Sequence, residues 1–386
     1  MNKIKFGIIG MGARGDMMAK YFCKNDHIDL VAICDNCDHR LDTWKGKVPN
    51  IYNDYKSVLE NDSVDSVLIA TPDDTHEEIG IEAIKSHKNI ILEKPLGIHK
   101  DKVLELYEKG KGYDKVFMTG YVLRYASVFK KAKELLDEGI IGKIITANVV
   151  DNINYGGYAF YHDWHREKGN MGSILLQKAS HSLDILNWIV GSDPYYTAAF
   201  GGLDVFGDVG AKKYFGKTVS GLNCRDCEKT YECPESLYNA KKIRDIDWAE
   251  DWPDSCVYDT SIDIDDNNVA IIKYKNNVKA SYTLSQFTPE YKREFQFLGD
   301  KGKLVVEDGS NTISVAFRNS KDSYTYNVVE SGNHGGGDDG LIRDFIDCYY
   351  NGKKPVSSFE DGIKVTLLSM AMQESIDKCE LIKIEY

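Results

Sequence analysis

The chain lacks several things that would commit it to particular function classes. No stretch among its 386 residues reaches the roughly eighteen consecutive apolar residues that a membrane-spanning helix needs. Positive charge is also short: 48 Lys and Arg stand against 60 Asp and Glu, a net charge of −12, so nothing basic would draw nucleic acid or an anionic membrane. Neither a fixed-period repeat nor a low-complexity tract is present. The opening "MNKIKFGIIG" runs straight into a strand-like stretch with no signal-peptide anatomy. With nine cysteines, an odd number, that sets the expectation of reduced thiols in a cytoplasm. What is present is the balance of a soluble globular protein, 42% apolar and 28% charged. The length is too great for one ordinary core and implies two domains. The 24 tyrosines suit sugar-like ligands.

Strand-like and helix-like runs alternate through the first third of the chain. "KIKFGII", "DLVAIC", "VDSVLIA", "NIILE" and "KVFMTG" are separated by segments of helical period near Arg14 to Lys24, Thr75 to Ser86 and Lys100 to Lys109. That alternation is the pattern of a parallel, doubly wound sheet.

The turn after the first strand reads Gly10-Met11-Gly12-Ala13-Arg14-Gly15, a G-x-G-x-x-G sequence, with Asp35 twenty residues beyond Gly15 at the end of the second strand. Gly10 permits the tight turn, Gly12 lets backbone approach a pyrophosphate, and Gly15 lets the following helix pack closely. The helix N-terminus then faces negative charge. Asp35 accepts hydrogen bonds from both ribose hydroxyls and repels a 2′-phosphate, which favours NAD over NADP, although Arg40 nearby tempers the preference. Further along, "IATPDDTH" places Thr71, Pro72 and His76 after one strand, and "ILEKPLG" places Glu93, Lys94 and Pro95 after the next. In open α/β sheets, ligands bind outside the carboxyl ends of the strands, so Lys94 lies within reach of one.

A second chemistry-bearing stretch is "LLQKASHSLDILNW", Leu175 to Trp188. Wound as a regular helix, it puts Gln177, His181, Asp184 and Trp188 in one stripe, with Lys178 about 60° from His181. Leu175, Leu176, Ala179, Leu183 and Leu186 form the opposite face. The stripe is either a solvated face or a surface turned to a substrate.

Taken together, "GIIGMGARG", Asp35, "IATPDDTH", "EKPLG", "GYVLRY", "DWHR", this helix and "LGDKGKLVVEDG" resemble the Gfo/Idh/MocA oxidoreductases over nearly the whole chain. The resemblance implies an α/β Rossmann domain, expected at 1–122, and a C-terminal α+β domain at 123–386 with a large, mainly antiparallel sheet that supports a homodimer or homotetramer. Period-two runs such as "VAIIKYKNN" and "KASYTLSQF", and helices near Gly340 to Tyr350 and Asp361 to Asp377, agree with it. In the family, the EKP lysine and a histidine on this helix lie beside the nicotinamide, and here those positions are Lys94 and His181. Asp184 matches a substrate-contacting acid. Gln177 replaces the aspartate many members carry four residues before the histidine, and glutamine cannot take a proton. Lys178 resembles a subset with lysine three before the histidine, and a crowded, desolvated amine serves as a base. Tyr125, Tyr158, His162 and His165 are expected at the substrate. Arg124, Trp164 and Arg166 are expected at the cofactor edge, together with Thr71, Pro72, His76 and Glu93.

An insertion at about 204–256 contains "NCRDCEKTYEC" and "DSCVYD". Cys224, Cys227 and Cys233, with Cys256 as a fourth, are expected to form a structural zinc clip, free thiols or a redox pair. Cys23, Cys34, Cys37, Cys348 and Cys379 read as core or incidental. In "SGNHGGGDDG", Asp338 or Asp339 reads as a helix N-cap, and His334 as a loop residue that reaches the substrate.

These residues suit hydride transfer. A carbinol cannot give its hydride to nicotinamide unless its hydroxyl proton also leaves. Lys94 is the candidate for polarising and deprotonating that hydroxyl, with His181 or Lys178 as the relay. The leading expectation is an NAD-dependent dehydrogenase acting on a secondary hydroxyl of a sugar, glycoside or cyclitol. A net non-redox enzyme that cleaves a glycoside through a transient keto-sugar is the alternative. A sensor is the third class, and the pairing of Lys94 and His181 with a complete NAD fingerprint argues against it.

Overall fold

The computed structural model describes residues 2–244, 252–329 and 333–386. The chain falls into two compact units: Met1–Ser127 with Glu330–Leu367 and Tyr386, and Val128–Val329 with Leu368–Glu385. The helix Gly337–Asn351 counts with the first unit because its Leu341, Ile342 and Phe345 enter that unit's core. Phe345 meets Phe6 at a ring distance of 5.0 Å, and Phe6 meets Phe22 at 4.6 Å. Each such ring contributes roughly 1.5–3 kcal/mol of burial energy. No helix among the described residues is long and apolar enough to cross a membrane.

The first unit carries six strands: β1 (Ile4–Ile9), β2 (Ile28–Cys34), β3 (Asn50–Tyr52), β4 (Ser66–Ile69), β5 (Asn89–Leu92) and β6 (Phe117–Thr119). They form one sheet in the order β3-β2-β1-β4-β5-β6, every pair parallel. Their near-continuous burial matches strands covered by helices on both faces. The strand order reverses between β1 and β4, so the turn after β1 and the loops after β4 and β5 open at the switch point where such sheets bind ligands.

The second unit is built on a nine-stranded sheet. Its strands are β7 (Ile144–Asn152), β8 (Pro194–Gly202), β9 (Asn267–Tyr274), β10 (Lys279–Ser285), β11 (Lys292–Gly299), β12 (Gly302–Glu307), β13 (Thr312–Phe317), β14 (Ser323–Asn327) and β15 (Ile382–Lys383). The order is β14-β13-β12-β11-β7-β10-β9-β8-β15, antiparallel except between β7 and β10. The period-two reading of β9 holds: Asn268, Ala270, Ile272 and Tyr274 point inward, while Val269 and Ile271 are exposed. Register places Phe200 of β8 beside Val269, so the outer face presents a contiguous apolar strip.

The stretch Leu175 to Trp188 is not one regular helix. It opens as a π-helical turn over Leu175–Ala179 and continues as an α-helix over Ser180–Val190. A π-turn accommodates an extra residue and shifts the helical phase, so uniform winding misplaces Gln177 and Lys178 relative to His181. The polar stripe is not a solvated face either. Gln177, Lys178 and Asp184 are buried and His181 is half-buried.

Candidate active site

In the first unit, the turn from Gly10 to Gly15 is shaped by its glycines. Gly10 has φ +94°, and a Cβ there would lie 2.5 Å from the Ala70 carbonyl oxygen. A Cβ on Gly15 would lie 1.9 Å from the Gly10 carbonyl oxygen, so only glycine lets the helix Ala13–Phe22 start this close to the turn. A Cβ on Gly12 would meet nothing within 4 Å, leaving its backbone open to an approaching pyrophosphate at the helix N-terminus. Asp35 is buried just past the end of β2. Its carboxylate accepts from Met11 N at 2.7 Å and Cys37 N at 2.9 Å, and it lies 3.5 Å from Arg40. The carboxylate thus ties the phosphate turn to the second strand, and its remaining lone pairs are available to a ribose. The cradle fits a dinucleotide.

Arg14 is engaged by carboxylates from two directions. Its Nε donates to Glu93 at 2.5 Å, and an Nη donates to Asp338 at 2.5 Å. Burial opposes the Arg14 charge, but the two carboxylates outweigh it and push its pKa up. Asp338 and Asp339 both lie in the first turn of Gly337–Asn351, whose cap is Gly336, so neither is the N-cap the sequence suggested. Asp338 instead accepts from His334 Nδ1 at 2.8 Å, and Asp339 pairs with Tyr21 and Arg343. His334 is exposed, with φ 48°.

Other residues read as cofactor or substrate contacts have structural partners. His76 is buried with one ring nitrogen on the Pro95 carbonyl (2.7 Å) and the other on the Thr71 carbonyl (2.9 Å), joining the loops after β4 and β5. Thr71 is half-buried, Pro72 is exposed, and the Thr71 hydroxyl accepts from Thr75 at 2.7 Å. Lys94 is half-buried in the loop after β5, beside buried Glu93 and ahead of a cis peptide bond to Pro95. Arg124 donates to the Val356 carbonyl at 2.6 Å and to Asp361 at 2.9 Å. Tyr125 donates to Asp344 at 2.8 Å and lies in the hydrophobic core.

In the second unit, His162 sits between the Ser255 and Glu235 carbonyls, 2.6 Å from each, and burial pushes its pKa down. Arg166 is buried against Asp259 (3.1 Å), Ser261 (2.7 Å) and the Cys256 carbonyl (3.3 Å). Both residues therefore anchor the cysteine-bearing insertion. Tyr158 is fully buried, and its ring lies 5.8 Å from that of Trp252. Trp164 is partly exposed and stacks on His165 at 3.9 Å.

Cys224, Cys227, Cys233 and Cys256 line one small cavity with His162, Phe215 and Tyr258. Burial pushes the Cys224 thiol up to about 12 and that of Cys256 to about 11, and raises that of Cys233. Among the described residues, no group of three or more His, Cys, Asp or Glu side chains is arranged to hold a metal ion. The sequence brought these four cysteines together correctly, but the geometry offers no support for zinc.

Spacing did not flag the network beneath the Leu175–Val190 segment. Lys178 Nζ donates to Tyr155 Oη at 2.7 Å. The Tyr155 ring stacks on Tyr291 at 6.1 Å, and Tyr291 donates to Asp308 at 2.9 Å. Arg293 joins Asp308 (3.1 Å) to the wholly buried Asp151 (3.0 Å), which also accepts from Ser182 (2.6 Å) and Tyr282 (2.8 Å). One signal was available: Asp151 is the acid in the inward-facing series Ala147, Val149, Asp151 of β7.

Comparison with known proteins agrees with both sheets. Residues 4–121 match the model of an oxidoreductase family's NAD-binding Rossmann fold, and residues 133–384 match that family's C-terminal alpha/beta domain. The myo-inositol 2-dehydrogenase of Thermotoga maritima is 24% identical over 388 residues, covering 99% of each chain. Among solved structures, the myo-inositol 2-dehydrogenase from Lactobacillus plantarum has the same fold, with a TM-score of 0.72 at 21% identity over the whole of both chains. So does a levoglucosan dehydrogenase in complex with NADH and L-sorbose, with a TM-score of 0.74 at 20% identity, again over the whole of both chains.

Proposed function

The chain belongs to the Gfo/Idh/MocA oxidoreductase family, and on that premise we propose that it is an NAD-dependent dehydrogenase oxidising a secondary hydroxyl of a sugar, glycoside or cyclitol. The observation that carries this reading is the phosphate turn, with Gly12 open to an approaching group and Asp35 fixed to Met11 at the end of β2. The names of the relatives, two inositol dehydrogenases and a levoglucosan dehydrogenase, support a polyhydroxylated ring as substrate.

NAD, when bound, would supply the hydride acceptor for the carbinol carbon. The chain's own residues do the rest. The turn at Gly10 to Gly15 holds the pyrophosphate, and Asp35 takes the adenosine ribose hydroxyls. Lys94 polarises the substrate hydroxyl, and its proton leaves through His181 or Lys178. Asp184 and Gln177 hold neighbouring hydroxyls. The outer strip of the nine-stranded sheet, with Phe200, Val269 and Ile271 exposed, supports assembly as a homodimer or homotetramer.

The test is incubation of the protein with NAD and a panel of cyclitols, hexoses and glycosides, following NADH absorbance and sugar products together. NADH formed in step with a keto product supports the reading. Glycoside cleavage without net NADH would replace it with transient-oxidation chemistry.

A further inference from the structure

We propose that Tyr155 is a further acid–base residue of this site, acting as one unit with Lys178 on the oxygen of the reacting carbinol. The inference rests on the dehydrogenase reading above and specifies where the substrate proton goes.

Lys178 is only 7% exposed, and a buried ammonium normally lies against a carboxylate. Its hydrogen-bond partner among the described residues is instead the Tyr155 phenol oxygen at 2.7 Å, and its Nζ also lies 5.2 Å from the centre of the Tyr155 ring. An amine held on a phenol rather than a carboxylate exchanges a proton with it without forming a permanent ion pair. The residue is carried by the π-turn Leu175–Ala179, a distortion that costs helix regularity and occurs most often where a side chain must be aimed at a site.

Tyr155 is held as a positioned acid–base group must be. Its ring stacks on Tyr291, which is tied through Asp308 and Arg293 to Asp151, and Asp151 accepts from Ser182, the neighbour of His181. The next backbone position is pinned as well: a Cβ on Gly156 would lie 2.2 Å from the Gln286 carbonyl oxygen. Tyr155 is half-buried, whereas Lys178 is buried.

The chemistry balances in either direction. In oxidation, the substrate O–H bond breaks and its proton goes to Tyr155 Oη. The proton already on Oη passes to the Lys178 amine, which becomes ammonium. The electron pair left on oxygen forms the carbonyl π bond as the C–H bond gives its hydride to NAD. Reduction reverses each transfer, with a Lys178 ammonium donating to Tyr155 across the same 2.7 Å contact.

The experiment measures kcat and KM from pH 6 to 10 for the wild-type protein, Tyr155→Phe, Lys178→Met and the double variant, using NAD with myo-inositol and the sugar panel. Phenylalanine keeps the stack and removes only the hydroxyl. Tyr155→Phe should lower kcat by about 10²-fold while leaving KM within a few-fold. The double variant should be no slower than the slower single variant, because the two residues act as a unit. If Lys178→Met does not fold, Tyr155→Phe and Lys178→Arg carry the test. A Tyr155→Phe protein that keeps wild-type kcat and pH profile on a sugar the wild type oxidises overturns the inference and leaves the dehydrogenase reading intact. A wild-type protein that binds NAD but oxidises no member of the panel overturns the dehydrogenase reading and the inference with it.

Discussion

Arg14 of the phosphate turn is hydrogen-bonded to Asp338, 324 residues further along the chain, at 2.5 Å. The same guanidinium holds Glu93 of the Glu-Lys-Pro loop, so one side chain ties the cofactor turn, the Lys94 loop and the helix Gly337–Asn351 together.

This arrangement has a pH signature. Burial opposes ionisation of Asp338, but the hydrogen bond from His334 and the charge of Arg14 prevail and hold its carboxyl below the usual range. A depressed carboxylate stabilises the fold above its unfolded value, about 3.9, and that contribution disappears as pH falls through the lower folded value. Asp338→Asn should cost about 1–3 kcal/mol at pH 7 and progressively less below pH 4. Urea denaturation of both proteins across this range checks it.

NAD should bind at least tenfold more tightly than NADP, a difference of about 1.4 kcal/mol that a phosphate set against a carboxylate readily supplies. Asp35→Ala should narrow the gap. Because Asp35 also receives Met11 N, the variant should lose affinity for NAD itself. Fluorescence titration with both cofactors reads both effects, and equal wild-type affinities would refute the assignment.

Lys94→Ala and His181→Ala should each keep the fold and nearly all NAD affinity, since neither side chain belongs to the phosphate turn or to the apolar cores. Turnover should fall by about 10²-fold or more, the usual worth of a positioned acid–base group. Steady-state kinetics on a confirmed substrate, with NAD binding measured in parallel, separates this from simple loss of structure.

The cysteine cavity makes a reactivity prediction. Burial raises the Cys224 thiol to about 12 and the Cys256 thiol to about 11, so both are almost wholly protonated at pH 8. They should react with a disulfide reagent orders of magnitude more slowly in the folded protein than in denaturant. Prompt reaction of the native protein would contradict the burial.

Local pattern carried much of the architecture. Period two located β9 and β10, and the alternation of strands and helices located the parallel sheet, because each of these is written in local pattern. Partners far apart in the chain were not legible. His76, His162 and Arg166 read as ligand-facing groups because an isolated polar side chain gives no hint of a carbonyl waiting for it 19 to 93 residues away. The contact of Tyr155 with Lys178 was not legible for the complementary reason: nothing in "NINYGGY" announces an amine on a helix turn 23 residues later. The π-turn also defeated uniform winding, which assumes 3.6 residues per turn throughout.

The single parallel pairing in the large sheet governs how the second unit forms. Strand β7 lies in the middle of the sheet, yet its neighbours are Lys279–Ser285 on one side and Lys292–Gly299 on the other. Both edges of an interior strand therefore wait for more than a hundred residues of chain to be made. On a ribosome adding about 5–20 residues per second, that interval lasts on the order of ten seconds. Pairing at such sequence separation is slow even in the finished chain, because loop closure precedes any gain from the ladder. Chains truncated before residue 279 would leave both β7 edges open to pairing with one another, so premature termination should yield aggregates rather than a smaller soluble enzyme.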